Sequence, residues 1–127
     1  MRVFTIVRWL VGGFYLIGGP LIHIYFITQN PAIYGELGKT AWPPYPRLWE
    51  RWVLPNLVSL VGLLIVVEAA MGALMLSRNP RRAQLGHVAG LGFNLLLIPF
   101  QFALGIPNLL TAALHGWLWQ EEGKRAA

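Results

Sequence analysis

Six polar or ionisable side chains stand inside strongly apolar stretches of this sequence, where they are the best candidates for chemistry. They are Glu68, Arg8, His115, His87, Tyr15 and Asn94. An ionisable group at membrane depth is costly unless it is paired or faces a cavity. Glu68, near the middle of its apolar run, is therefore a candidate for handling protons or contacting a ligand. The structural alternative is a carboxyl group, neutral or paired with Arg8, that only fixes the helix packing.

The two histidines allow a second kind of chemistry. His87 and His115 fall in neighbouring apolar segments at similar depth, which permits haem ligation by both rings. Together with Glu68 they also have the ligand types of a non-haem metal site. However, many histidines in membrane spans only form hydrogen bonds between helices, and no linear spacing here demands a metal. We therefore predict no metal site and do not expect haem.

These residues must be positioned by membrane-spanning helices. The chain has 127 residues, of which 56% are hydrophobic and 12% charged, whereas a soluble domain has about 25% charged residues. Four apolar segments cover approximately residues 3–27, 55–77, 83–104 and 106–119. The first is longer than the apolar region of a signal peptide, so it is predicted to be a retained membrane span. The last would rise only about 21 Å, so residues 100–107 form either a shallow turn or the ends of two tilted helices.

Each segment carries its polar and small residues on one helical face. The faces are Arg8, Gly12, Tyr15, Gly19 and His23; Val61, Ile65, Glu68, Gly72 and Met75; His87, Gly90, Asn94 and Gln101; and Asn108, Thr111, Ala112, His115 and Trp119. Polar residues of spans face the interior, and small residues allow helices to approach closely. The sequence therefore predicts an all-α, single-domain membrane protein, a four-helix bundle with a polar centre in which Arg8 reaches toward Glu68.

The long connection between the first two segments is rich in aromatic residues and proline. Tyr34, Trp42, Tyr45, Trp49 and Trp52 occur within residues 28–54. Such rings prefer the headgroup level of a membrane. We predict an interfacial loop at the outer membrane face, which is either a simple anchor or a lid over a cavity.

Basic residues cluster at the ends of the apolar segments, which predicts lipid contact and no nucleic-acid binding. Their distribution places both termini in the cytoplasm. There is no cysteine, and no Walker loop, dinucleotide fingerprint, nucleophile elbow or zinc-helix motif occurs. Whether the protein is an enzyme stays open at this point.

Two short stretches resemble DoxX-like membrane proteins. RWLVGGFYLIGG, from Arg8 to Gly19, is similar to the opening span of that family, and VVEAAMGALML, from Val66 to Leu76, is similar to its second span. The lysine that many relatives have after the first span is replaced here by the region of Pro20 to His23, and the chain ends in QEEGKRAA rather than in a Ser-Leu-Asp-like motif. The resemblance implies a small four-span protein, which we expect in a prokaryotic inner or plasma membrane.

The resemblance also implies a function class. Some DoxX-like proteins are linked to quinone-coupled sulfur oxidation or to oxidative-stress responses, so we predict a redox-associated protein with a quinone or another amphipathic molecule beside Glu68. The alternative is a non-catalytic accessory subunit of a larger respiratory or photosynthetic complex, bound to other membrane subunits. A transporter or channel is a weaker hypothesis because the sequence has no inverted repeat.

Overall fold

The computed structural model describes residues 2–100 and 105–127, and every regular element within these ranges is helical. In chain order, the main helices are α1 (Arg2–Gln29), α2 (Ala32–Lys39), α3 (Tyr45–Met75), α4 (Pro80–Phe100) and α5 (Gly105–Ala126). A π-helical turn interrupts α1 at Phe14–Gly18, and another interrupts α3 at Trp49–Val53. Short 3-10 turns occupy Leu54–Asn56 within α3 and Ile98–Phe100 at the end of α4.

Three helices, α1, α3 and α4, are long and apolar enough to cross a membrane. Helix α5 has 22 residues, which corresponds to about 33 Å of rise, but its last turns are strongly polar. The helix is longer than the apolar segment predicted at residues 106–119, because α5 continues past Trp119 as far as Ala126. A membrane crossing by α5 stays a prediction.

The helix starts follow local signals in the sequence. Helix α3 begins at Tyr45, well before the predicted residue 55, because Pro46 occupies its first turn, where the missing N–H is not needed. Helix α4 begins at Pro80, where the side chain of Asn79 accepts hydrogen bonds from the N–H groups of Arg81 and Arg82. The predicted turn at residues 100–107 falls partly on residues 101–104, outside the described ranges.

Small residues set how closely the long helices pack. Helices α4 and α5 lie along each other, α3 packs against α1 and α4, and the first turns of α1 contact α5. At Gly72 of α3, a Cβ atom would collide with backbone atoms of Gly12 and Leu16 on α1. Outward-facing residues such as Leu10 and Leu96 are 68% and 73% exposed, as expected for helices that meet lipid.

The connection between α1 and α3 is folded onto the end of α4. The N–H of Trp42 donates to the carbonyl of Pro99 at 2.8 Å. The rings of Tyr45 and Trp49 lie with their centroids 4.8 and 5.2 Å from that of Phe100. This segment therefore covers one end of the helix packing, although its place at a membrane interface stays a prediction.

The predicted inward faces are largely confirmed by burial. Arg8, Tyr15, Glu68, His87, Asn94 and His115 are all at most 7% exposed. The exception on α5 is Trp119, which is 43% exposed, while its neighbour Leu118 is fully buried. Gln101 lies outside the described residues.

Candidate functional site

One face of α1 carries a member of each of three polar clusters. Arg8, Tyr15 and His23 are separated by seven and eight residues, so they follow one another over about 22 Å of helix. Gly12 and Gly19 occupy the levels between them and are buried. Because each of these three residues contacts polar groups of other helices, this face of α1 orders the ionisable interior of the protein.

The first cluster joins both ends of the chain. Nε of Arg8 lies 2.6 Å from Oε1 of Glu122, and Nη1 of Arg125 lies 2.7 Å from Oε2 of the same carboxylate. Arg8 also donates from Nη2 to the carbonyl of Ser77 in the α3–α4 connection. Glu122 is fully buried, and Arg8 is 7% exposed. The start of α1, the α3–α4 connection and the end of α5 therefore lie at the same end of the molecule.

These contacts correct the predicted pairing of Arg8 with Glu68. Arg8 lies about three helical turns away from Gly19, the residue of α1 against which Glu68 packs. Its charge is neutralised instead by Glu122, which is not among the site residues predicted from the sequence. Two guanidinium groups share one carboxylate, so the cluster of Arg8, Glu122 and Arg125 carries a net positive charge.

The second cluster is a chain of hydrogen bonds across four side chains. Nδ2 of Asn94 donates to the hydroxyl oxygen of Tyr15 at 2.5 Å and to the carbonyl of Gly90 at 2.8 Å. The Tyr15 hydroxyl lies 3.2 Å from Nε2 of His115, and Nδ1 of His115 lies 3.3 Å from Nδ1 of His87. Both histidines are fully buried. The structure thus brings together four of the six predicted site residues.

The donors of this chain can be assigned from its partners. Since the oxygen of Tyr15 accepts from Asn94, its own O–H is available to donate to Nε2 of His115. A neutral His115 then carries its proton on Nδ1 and donates it to Nδ1 of His87. The remaining N–H of His87, on Nε2, is buried with no hydrogen-bond partner among the described residues. Each member of the chain therefore donates to the next, and the last donor, the Nε2–H of His87, has no partner among the described residues.

The packing around the second cluster is tight. A Cβ atom on Gly90 would lie 2.7 Å from Cε1 of His115 and 2.8 Å from the terminal methyl of Met75. The two imidazole rings contact each other directly, with centroids 5.5 Å apart, which leaves no place for a porphyrin between them. The same packing leaves no room at Gly90 for a quinone ring.

The third cluster links Glu68 to the folded connection between α1 and α3. Oε2 of Glu68 lies 3.4 Å from Nε2 of His23, and Nδ1 of His23 lies 2.9 Å from the hydroxyl of Tyr34. The imidazole and phenol rings are stacked at 19°. Nε1 of Trp49 donates to the carbonyl of Tyr34 at 2.7 Å. The carboxylate inside the helix packing is thereby connected to a residue of α2.

Tyr34 is held in its protonated form. Burial, and then the charge of Glu68, raise the pKa of Tyr34 above its ordinary value. Its hydroxyl can therefore donate to Nδ1 of His23, while Nε2 of the same ring faces the carboxylate of Glu68. Glu68 is 5% exposed, and its carboxylate packs against Gly19, where a Cβ atom would lie 2.8 Å from Oε2.

The three clusters occupy successive levels of α1. Glu68 packs against Gly19, which follows Tyr15 by about one helical turn on the same face, so the second and third clusters lie at adjacent levels. Arg8 precedes Tyr15 on that face by about two turns. Ionisable groups are therefore present at successive levels from Tyr34, through the interior, to the cluster at Arg8.

Several residues of these clusters were not selected from the sequence, among them Glu122, His23 and Tyr34. Glu122 lies seven residues after His115, the spacing of two helical turns, so extending the polar face of α5 past Trp119 would have found it. His23 was placed on the polar face of α1 but was not selected as a site residue. Tyr34 carries no signal beyond its aromatic character, since its contact depends on how the connection folds.

Within residues 2–100 and 105–127, no group of three or more His, Cys, Asp or Glu side chains is arranged to hold a metal ion.

Comparisons with protein-family models, with curated protein sequences and with solved structures find no match to this chain. The resemblance to DoxX-like proteins therefore stays a prediction.

Proposed function

We propose that this protein is a DoxX-like integral membrane protein whose interior transfers protons in support of a redox reaction. In this proposal the four long helices form a membrane-spanning bundle, the connection between α1 and α3 covers its outer end, and both termini are cytoplasmic. The observation that carries the proposal is the directional chain from Asn94 through Tyr15 and His115 to His87, whose last donor has no partner among the residues that the structure describes.

The chain can pass a proton by exchange of partners. A proton that reaches the oxygen of Tyr15 allows the original hydroxyl proton to move to Nε2 of His115. The resulting imidazolium gives its Nδ1 proton to Nδ1 of His87, and His87 then releases a proton from Nε2 toward the end of the molecule that holds Arg8. Each residue gains one proton and loses one, so no residue keeps a net charge after the transfer.

Glu68 and His23 have the positions of a proton entry. Glu68 lies between the Tyr34–His23 pair and the level of Tyr15, and a carboxylate in this place can accept a proton from one side and release it to the other. The hydroxyl of Tyr34 contacts His23, and Trp49 donates in turn to the carbonyl of Tyr34. This arrangement supports a route that begins under the folded connection.

Proton flux into proteoliposomes tests the proposal. Vesicles that contain a pH-sensitive dye are given a potassium diffusion potential, and the rate of internal acidification is measured. We expect Glu68→Gln, which keeps the shape but cannot ionise, to reduce the protein-dependent rate by at least tenfold. Glu36→Gln is the matched control because the Glu36 side chain is 68% exposed. Equal rates for the two variants, or no flux above protein-free vesicles, would refute the proposal.

The redox association comes from the family resemblance. Quinone reduction consumes protons together with electrons, so a protein that delivers protons suits such a partner. The tight packing at Gly90 and His115 argues that a quinone would meet the proton chain at one of its ends and not at its centre. Analysis of the lipids that co-purify with the protein in mild detergent would detect a bound quinone.

A second candidate function is that of a non-catalytic accessory subunit. The observation that favours it is the same tight interior, in which Met75, Leu118 and both histidines of the chain are fully buried. A buried polar network can specify one helix arrangement without chemistry. This candidate predicts co-purification with larger membrane subunits and no proton flux from the isolated protein.

A further inference from the structure

A cavity of about 500 Å³ opens at the end of the molecule where the two chain ends meet. It is lined by Phe4, Thr5, Arg8, Glu121, Lys124 and Arg125, and these residues are here called the basic pocket. The pocket lies between the first turns of α1 and the last turns of α5. It is separate from the proposed proton chain, which uses none of the side chains that line the pocket.

The floor of the basic pocket carries a surplus of positive charge. Arg8 and Arg125 both contact the fully buried Glu122, so one of their two charges is left without a carboxylate. The guanidinium of Arg125 lies 5.8 Å from the ring centroid of Phe4, which helps to hold it at the pocket wall. Lys124 pairs with its helix neighbour Glu121, and its side chain is 72% exposed. An anion that enters the pocket therefore meets cations that are already positioned.

This end of the molecule is strongly basic as a whole. It carries Arg2, Arg8, Arg78, Arg81, Arg82, Lys124 and Arg125 against two glutamates, a balance of +5. The end covered by the folded connection carries three basic and two acidic residues, a balance of +1. The difference favours anions at the basic pocket, and polybasic segments beside membrane helices attract anionic lipids.

The surroundings of the pocket suit a ligand that also has an acyl chain. Val3 and Ile6, in the same turns of α1 that form the pocket, are 68% and 58% exposed. Arginine pairs well with phosphate because its fork of donors matches the phosphate oxygens. We propose that the basic pocket binds the phosphate of an anionic lipid, with Lys124 and Arg125 as its contacts and with the acyl chains along the apolar face of α1.

Thermal unfolding in neutral detergent tests this proposal, with phosphatidylglycerol, phosphatidylcholine and inorganic phosphate as separate additions. We expect phosphatidylglycerol to raise the melting temperature in a saturable way, and the other two to have little effect. Lys124→Gln should raise the half-saturating lipid concentration about fivefold, since one basic residue at a membrane surface contributes roughly that factor. Arg125→Gln should act in the same direction.

Lys39→Gln is the matched control. Lys39 also pairs with a glutamate three residues earlier on an exposed helix, but it lies at the opposite end of the molecule. It should leave the lipid response unchanged. Equal responses of the Lys124→Gln and Lys39→Gln variants, or equal stabilisation by phosphatidylcholine, would overturn the proposal. Stabilisation by inorganic phosphate that matches that by the lipid would assign the pocket to a soluble anion and would also overturn it. Melting temperatures without lipid show whether each variant is folded.

Discussion

Replacing Glu122 by glutamine removes the carboxylate that forms an ion pair with Arg8. Glu122 is fully buried and Arg8 is 7% exposed, so the variant leaves a guanidinium without its counter-ion. Breaking a buried ion pair from one side costs about 3–5 kcal/mol. The loss should fall near about 3 kcal/mol, because Arg8 keeps its hydrogen bond to the carbonyl of Ser77 and the amide oxygen of glutamine can still accept one.

The assay is the free energy of unfolding, obtained by titrating SDS into mixed micelles. Glu121→Gln is the control, since Glu121 is the adjacent residue on the same helix and pairs with a lysine whose side chain is 72% exposed. An exposed pair of this kind contributes about 0–1 kcal/mol. If the two variants differ by less than about 1 kcal/mol, the buried cluster at Arg8 does not form as described.

A double-mutant cycle separates the observed pairing from the one predicted by the sequence. Combining Arg8→Met with Glu122→Met should give an interaction free energy of about 1–3 kcal/mol, because the two side chains touch. Combining Arg8→Met with Glu68→Gln should be additive within about 0.5 kcal/mol, as expected for separate sites. Strong coupling of Arg8 to Glu68, together with weak coupling to Glu122, would instead support the pairing of Arg8 with Glu68 that the sequence predicts.

Three further substitutions test the interior at other levels by the same unfolding assay. Gly90→Ala should cost about 1–3 kcal/mol through overpacking, since its Cβ would lie 2.7 Å from an imidazole carbon. Gly92→Ala should stabilise the helix by about 0.5–1 kcal/mol, because nothing lies within 4 Å of its Cβ. If Gly90→Ala is no more destabilising than Gly92→Ala, the centre is not tightly packed. Tyr15→Phe removes a buried hydroxyl with two hydrogen-bond partners and should cost about 1–3 kcal/mol. Tyr34→Phe removes a hydroxyl that has one hydrogen-bond partner, His23, and should cost about 1–2 kcal/mol. Tyr25→Phe, on a residue 60% exposed, serves as the control for both, and equal stability of all three tyrosine variants would show that these hydrogen bonds do not form.

The polar face of each helix could be predicted because it depends on local spacing. The recurrence of Arg8, Tyr15 and His23 on α1 follows from 3.6 residues per turn, and the structure buries the first two and half-buries the third. Within the central chain, the sequence predicted the similar depth of His87 and His115 but none of the contacts. Its hydrogen bonds depend on how far each helix is shifted and rotated relative to its neighbours, which no local pattern records.

The two ion-pair partners show where prediction from the sequence ended. Glu68 and Arg8 were identified individually, but their partners His23 and Glu122 were not. Glu122 stands in a charged tail that resembles a solvated helix end, and it lies 114 positions from Arg8 in the chain. Only the return of α5 alongside the start of α1 buries it.

The sequence by itself determined that this chain forms apolar helices, which residues face inward, and that Glu68 is an ionisable group within them. These properties follow from composition and from the helical repeat, both of which are local. The tertiary structure alone decided that Glu68 belongs with His23 and Tyr34, that Arg8 belongs with Glu122, and that Tyr15 joins the two histidines. Such pairings are set by packing between distant segments, where glycines such as Gly72 and Gly90 fix how closely the helices approach.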